Sequence, residues 1–158
     1  MNRKTYLILH NIRSVQNVGA IFRTADAADV DKIYLTGYTP TPVDRFGRER
    51  SDVAKTALGA QKSVEWEYAK TATLIINKLK KQKVEIVAVE QSEKAVDYKK
   101  IKVGKKDIAF VFGNEVKGLS KSVLDKSDKV AQINMLGQKE SLNVSVTVGI
   151  FLFRVLNI

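Results

Sequence analysis

The chain has 158 residues, enough for one domain with a proper hydrophobic core. Its 27 Lys and Arg outweigh 17 Asp and Glu to give a formal charge of +10, which points to a polyanionic partner, nucleic acid first. With no cysteine, disulfides and thiolate metal sites are excluded, and no metal is expected.

The opening stretch MNRKTYLILHNIR lacks an apolar core long enough for a signal peptide. Thr5 to Leu9 reads as a strand, followed by a polar loop from Asn11 to Gln16. Asn17 is expected to cap the next helix, whose buried face carries Val18, Ile21, Phe22 and Ala25 at helical spacing. Arg23 lies on a different face of that helix. Asp29 stands where a glycine would end the helix more comfortably, and Lys32 to Thr36 is the next strand.

Residues 37–61 differ in kind. Pro40 and Pro42 disfavour regular structure. Arg45, Arg48, Arg50 and Lys55 follow, with Tyr38 and Phe46 close by. Basic residues interleaved with aromatics can hold phosphates and stack on bases, and the arginine fork suits phosphate better than an ammonium does. The plainer alternative is a solvated loop leading into a short helix at about Ser51 to Leu58.

Val64, Trp66 and Tyr68 alternate with Glu65 and Glu67, as in a half-buried edge strand. Thr71 to Lys81 is an amphipathic helix with Leu74, Ile75 and Leu79 inward. Val84 to Val89 and Ile108 to Phe112 are continuous apolar runs, the pattern of strands buried in a parallel sheet. Val130 to Met135 is a further strand. Polar loops follow three of these strands, at Glu90, at Gly113 and at Gly137, and open α/β sheets place their ligands at such carboxyl ends.

Gly113 and Gly118 have the spacing of a phosphate-binding loop, but Leu119 stands where that motif requires Lys, and Glu115 adds negative charge. A nucleoside triphosphatase is therefore excluded, and no dinucleotide fingerprint is present. Taken alone, the loop reads as a tight turn into a helix at Ser120 to Asp125. Leu142 to Ile158 is valine-rich, which favours a strand, yet long, which favours a helix. As a helix it is apolar nearly all round, so a homodimer is expected with this helix in the interface. Asn143, Ser145, Thr147 and Arg154 interrupt it, so it is not read as a membrane span, and the chain is read as soluble and cytoplasmic.

Three stretches then combine. Asn17-x-Gly19-x-x-x-Arg23, Phe112-Gly113-Asn114-Glu115 with Gly118-Leu119-Ser120, and Ile133-x-Met135 leading to Ser141-Leu142-Asn143-Val144-Ser145 occur in this order. Together they resemble the motifs of the SpoU (TrmH-type) RNA 2′-O-ribose methyltransferases of the SPOUT superfamily, over essentially the whole of residues 1–158. The resemblance implies one α/β domain, a mostly parallel sheet with helices on both faces, a deep C-terminal trefoil knot and a homodimer. It implies S-adenosyl-L-methionine as methyl donor, held by Glu90, Gly113, Asn114, Gly118, Ile133, Met135 and Leu142. It implies that Arg23 is the catalytic arginine, with Asn17, Glu115, Ser141 and Asn143 as the other polar active-site positions.

Methyl transfer from a sulfonium is an in-line displacement, so the enzyme must align the ribose 2′-oxygen and ease loss of its proton. Arg23 can hold a phosphate and stabilise the developing alkoxide; outside the motif it would read as a surface arginine paired with Asp26. Two departures from the family pattern stand out: Asn134 where a proline is common, and Asp29 where a glycine is common. No appended RNA-binding domain is recognised, so RNA contact is expected from Arg13, Arg45, Arg48 and Arg50. Family members modify tRNA, including its wobble nucleotide, or ribosomal RNA; tRNA is the reading preferred. A non-catalytic RNA-binding protein of this fold and a Rossmann-like small-molecule enzyme are the alternatives.

Overall fold

The computed structural model describes residues 2–158. Its strands are β1 (Thr5–His10), β2 (Lys32–Thr36), β3 (Glu65–Ala69), β4 (Glu85–Val89), β5 (Val96–Asp97), β6 (Ile108–Phe112) and β7 (Lys129–Gln132). Its helices are α1 (Val15–Ala27), α2 (Ser51–Ala57), α3 (Ala60–Ser63), α4 (Ala72–Lys81), α5 (Lys121–Lys126) and α6 (Val144–Leu156), with one 3₁₀ turn at Tyr98–Lys100. The strands form one sheet in the order β3-β2-β1-β6-β4-β7-β5, and every neighbouring pair is parallel.

Alternation along the strands sends side chains to two cores. Leu7, Leu9, Ile33, Leu35, Phe110 and Phe112 point to the side covered by α1 and α6. Tyr6, Ile8, Tyr34, Ile86, Ala88 and Val111 point to the side covered by α4 and α5. Both sides are helix-covered, which is why the central strands are apolar throughout rather than alternating. On the first side the Phe151 ring of α6 meets Phe110 and Phe112 edge-on, at 5.2 and 5.9 Å between centroids. Aromatic pairs in this range favour edge-to-face contact.

The structure corrects several local expectations. Helix α1 begins before Asn17: Ser14 is its cap, accepting from the Asn17 amide at 3.1 Å, so Asn17 sits in the first turn with its side chain free for other partners. The polar loop after β1 is shorter than expected, because a serine caps as well as an asparagine does. In α4 the inward residues are Ile75, Ile76 and Leu79, and Leu74 is exposed. β3 is indeed an edge strand, but its Tyr68 is exposed, its hydroxyl donating to the Gly37 carbonyl at 3.0 Å. β7 ends at Gln132, and Ile133 to Met135 belong to the loop beyond it. Asp29 does take the left-handed conformation a glycine would prefer, with φ at +52°.

The C-terminal ambiguity resolves as a helix. Asn143 caps α6, its side chain accepting from the Ser145 amide at 2.9 Å and the Ser145 hydroxyl at 2.6 Å. Val148, Phe151, Leu152 and Val155 are buried, and tertiary packing of that face overrides the strand preference of valine. Val146, Ile150 and Phe153 remain exposed along the opposite face. Among the described residues, no helix is long and apolar enough to cross a membrane.

Candidate functional site

The loops after β4, β6 and β7 meet at the carboxyl end of the sheet. They enclose a cavity of about 300 Å³, closed on its far side by the start of α6. That volume is at the lower end for small-molecule sites. Glu90, Gly113, Asn114, Gly118, Ile133, Met135 and Leu142, the residues expected at a cofactor, all line it. So do Glu115 and Ser141, whereas Asn17, Asn143 and Arg23 do not.

The cavity is built by groups that hold loop to loop. The Glu90 carboxylate accepts from the Leu119 amide at 2.7 Å and the Gln91 amide at 2.9 Å. It lies directly against Gly118, whose φ is +65° and where a Cβ would run into that carboxylate. Glycine is thus required at 118 both by conformation and by contact. Gly113 faces the same turn, where a Cβ would stand 2.6 Å from Leu119 and 2.8 Å from the Gly118 carbonyl.

Asn114 is buried and uses its whole side chain. Its amide donates to the Asn11 carbonyl at 3.0 Å and the Tyr38 hydroxyl at 2.8 Å. Its oxygen accepts from the Val116 and Lys117 amides at 2.9 and 2.7 Å. This side chain is therefore occupied in tying the β6 loop to those after β1 and β2, and its backbone carbonyl accepts from the Gly118 amide at 2.8 Å.

Asn17, Glu115 and Asn143 form a chain beside the cavity. Asn17 Nδ2 donates to Glu115 Oε1 at 3.3 Å, and Asn143 Nδ2 donates to Asn17 Oδ1 at 3.2 Å. The Arg13 amide reaches the other Glu115 oxygen at 3.4 Å. The motif residues of α1, the β6 loop and the α6 cap are thus joined although they are far apart in sequence. Arg23 is exposed on α1 and has no hydrogen-bond or ion-pair partner among the described residues; Asp26 instead accepts from the Ser63 hydroxyl at 2.5 Å. Thr24, next to Arg23 in the sequence, lies 3.8 Å from the position of a Cβ at Gly149, where α1 packs against α6.

The charge of the cavity is opposite to that of the chain. Its lining includes Glu90, Glu115 and Glu140 and no lysine, arginine or histidine, in a protein of net charge +10. Such walls repel a phosphate and suit a ligand with a cationic centre. Valine, isoleucine, methionine and leucine side chains supply the apolar remainder. Gln91, in the polar loop expected after β4, lines the cavity as well. Sequence reasoning missed Gln132 and Glu140 in this lining and Tyr38 as its outer brace. Gln132 stands at a strand end, the one signal that would have found it.

The arginines fall into two kinds. Arg48 pairs with Asp44 at 2.8 Å and Arg50 with Asp52 at 2.7 Å. Arg13 and Arg45 are exposed and have no acidic partner among the described residues. Hydrogen bonds from the Arg48 amide first, then from the Phe46 amide and the Arg48 guanidinium, hold the Asp44 carboxyl below its ordinary 3.8.

Residues 4–153 match the model of the SpoU rRNA Methylase family. An uncharacterized tRNA/rRNA methyltransferase of Borreliella burgdorferi is 35% identical over 149 residues, covering 94% of this chain and 62% of that protein. The chain thus spans about three fifths of the length of such relatives. Among solved structures, the AdoMet-bound rRNA methyltransferase from Sinorhizobium meliloti superposes with a TM-score of 0.87 at 28% identity, over 99% of this chain and 57% of that one. An RNA 2′-O ribose methyltransferase superposes at 0.85 with 25% identity, over 99% and 57%. The chain belongs to the SpoU rRNA methylase family.

Proposed function

We propose that this chain is the catalytic domain of an S-adenosylmethionine-dependent RNA methyltransferase that modifies a ribose 2′-hydroxyl, in tRNA. The observation that carries the reading is a cavity with three glutamates and no basic residue within a basic chain: it suits a sulfonium-bearing nucleoside, while the outer surface suits the RNA. When bound, S-adenosylmethionine supplies a methyl carbon already activated by its sulfonium. Ile133, Met135 and Leu142 give apolar walls for the adenine, and the backbones of Gly113 and Gly118 allow close approach. Glu115, fixed by Asn17 and the Arg13 amide, orients groups at the rim where the ribose enters. Ser141 lies at the same rim, and Asn143 secures the chain that holds Glu115.

Arg23 supplies a planar guanidinium suited to phosphate. In this reading it binds the phosphate beside the target ribose and steadies the oxyanion as the proton leaves. It does not line the cavity of its own chain, and it stands on α1, which packs against α6; this fits a homodimer through the exposed stripe of α6. The trefoil knot belongs to the same reading; it is supported by the way the chain after β7 returns past the β6 loop to start α6 beside Asn17 and Glu115. Ribosomal RNA is the second substrate reading, favoured by the description of the matching family and of the Sinorhizobium neighbour.

Calorimetric titration with S-adenosylmethionine and with its demethylated product is expected to give about one site per chain. Incubation with unmodified tRNA and ribosomal RNA transcripts is then expected to yield a linkage resistant to alkaline hydrolysis in tRNA, since a methylated 2′-oxygen cannot attack its own phosphate. A resistant linkage confined to ribosomal RNA selects the second reading. Failure of both ligands to bind a folded chain defeats the proposal.

A further inference from the structure

The loop between Asp44 and Arg50 is braced far more heavily than a solvated connection needs. Asp44 Oδ1 accepts from the Phe46 amide at 2.8 Å and the Arg48 amide at 3.0 Å, and Oδ2 accepts from Arg48 Nε at 2.8 Å. The Asp44 amide donates to the Arg48 carbonyl at 2.8 Å, and Val43 bridges Glu49 in antiparallel fashion. Gly47 turns the tip with φ at +76°, and the Arg50 amide closes the base on the Pro42 carbonyl at 2.9 Å. At the tip stands Phe46, 65% exposed. The Arg45 and Arg48 guanidinium carbons lie 4.7 and 5.0 Å from its ring centroid.

A single exposed aromatic is ordinary. A rigid one with a guanidinium at each of two contacts is a stacking platform. The two cations are not equivalent. Arg48 is anchored by Asp44, whereas Arg45 has no acidic partner among the described residues and can leave the ring. We infer that Phe46 is the base-recognition residue of this protein: one unpaired RNA base replaces Arg45 over the ring, and the released Arg45 takes an adjacent phosphate. Arg48 remains as the brace. The ligand class is RNA with at least one unstacked nucleotide, since a base inside a duplex offers no free face. The two guanidiniums and the +10 charge favour RNA over a protein surface as the occupant. The inference rests on the reading of the chain as an RNA-modifying protein and adds the structural state of the RNA it grips outside the cavity.

The test is fluorescence anisotropy on the full chain with two end-labelled RNAs of equal length, a hairpin with an unpaired loop and a full duplex. Wild type is expected to prefer the hairpin. Phe46→Ala is expected to weaken hairpin binding by roughly ten-fold while leaving duplex affinity and the salt dependence unchanged, and Phe46→Trp to restore hairpin binding. Arg45→Ala is expected to lower the salt slope by about one, as one phosphate contact is lost. Unchanged melting temperatures check that these surface variants fold. Equal loss on hairpin and duplex, or no loss on either, overturns the inference while the RNA reading stands. An altered sedimentation coefficient for Phe46→Ala with unaltered RNA affinity overturns it in favour of contact between copies of this chain. Wild type that binds neither RNA overturns both the inference and the reading beneath it.

Discussion

At the scale of single residues, two charged groups show how position decides role. Arg23 carries its charge on an exposed helix face with no partner among the described residues, so its removal takes little from the fold. Arg23→Ala is expected to abolish methyl transfer while S-adenosylmethionine binding and the melting temperature stay within a small margin of wild type; lost cofactor binding would assign it a structural role instead. His10 is the contrary case. The Asn11 amide nitrogen lies 3.2 Å from Nε2, and since Asn11 Oδ1 accepts from the Tyr38 amide at 3.1 Å, that nitrogen is the donor. Nε2 is then an acceptor, and Nδ1–H donates to the Thr36 hydroxyl at 2.9 Å. Burial lowers the His10 pKa from 6.5. A depressed folded value means that the stability contributed by the neutral ring is complete above pH 6.5 and is lost as pH falls through the folded value. As the only histidine, His10 gives one titrating imidazole signal in NMR, expected with a midpoint below 6.5 and the Nδ1-protonated tautomer. A midpoint above 6.5 would contradict the hydrogen-bond assignment.

At the scale of elements, α6 has two faces with different fates. Phe151 and Leu152 are fully buried against the sheet, where truncation of a phenylalanine costs about 3–5 kcal/mol. Val146, Ile150 and Phe153 make an exposed apolar stripe one turn apart. If a second copy covers that stripe, Ile150→Glu is expected to give a folded monomer in sedimentation equilibrium where wild type is a dimer, and to reduce methyl transfer. Wild type that sediments as a monomer would remove the dimer from the proposed function. This stripe was legible in the amino-acid pattern alone, because a helix apolar on all sides needs two partners. The start of α1 was not: Ser14 and Asn17 are both good caps within one turn of each other, and local preference does not choose between them.

At the scale of the molecule, the sheet and the convergence of loops on one cavity were legible from the continuous apolar runs of β4 and β6 and the polar residues after them. Strand order was not legible. β1 lies between β2 and β6, a pairing between residues about a hundred positions apart that no local pattern records. Nor were the ion pairs legible: Arg48 and Arg50 read as free phosphate ligands, yet acids four and two residues away neutralise them. The basic surface and the acidic cavity together divide the molecule by charge, so that a polyanion is drawn to the outside while a cationic ligand is drawn to the pocket.

The strand order also sets a timetable for synthesis. The unit formed by β1, α1, β2 and β3 precedes β6 and α6 in the chain and can assemble by local crossovers. One edge of β1 and the inner face of α1 must then wait, exposed, until β6 and finally α6 leave the ribosome. Until that moment Phe22 and Leu9 have no cover from α6, and the nascent chain offers an open parallel edge to its neighbours. Pairing of such distant segments is slow. Until β6 and α6 have followed, the unit exposes the kind of apolar surface and unpaired strand edge that invites aggregation.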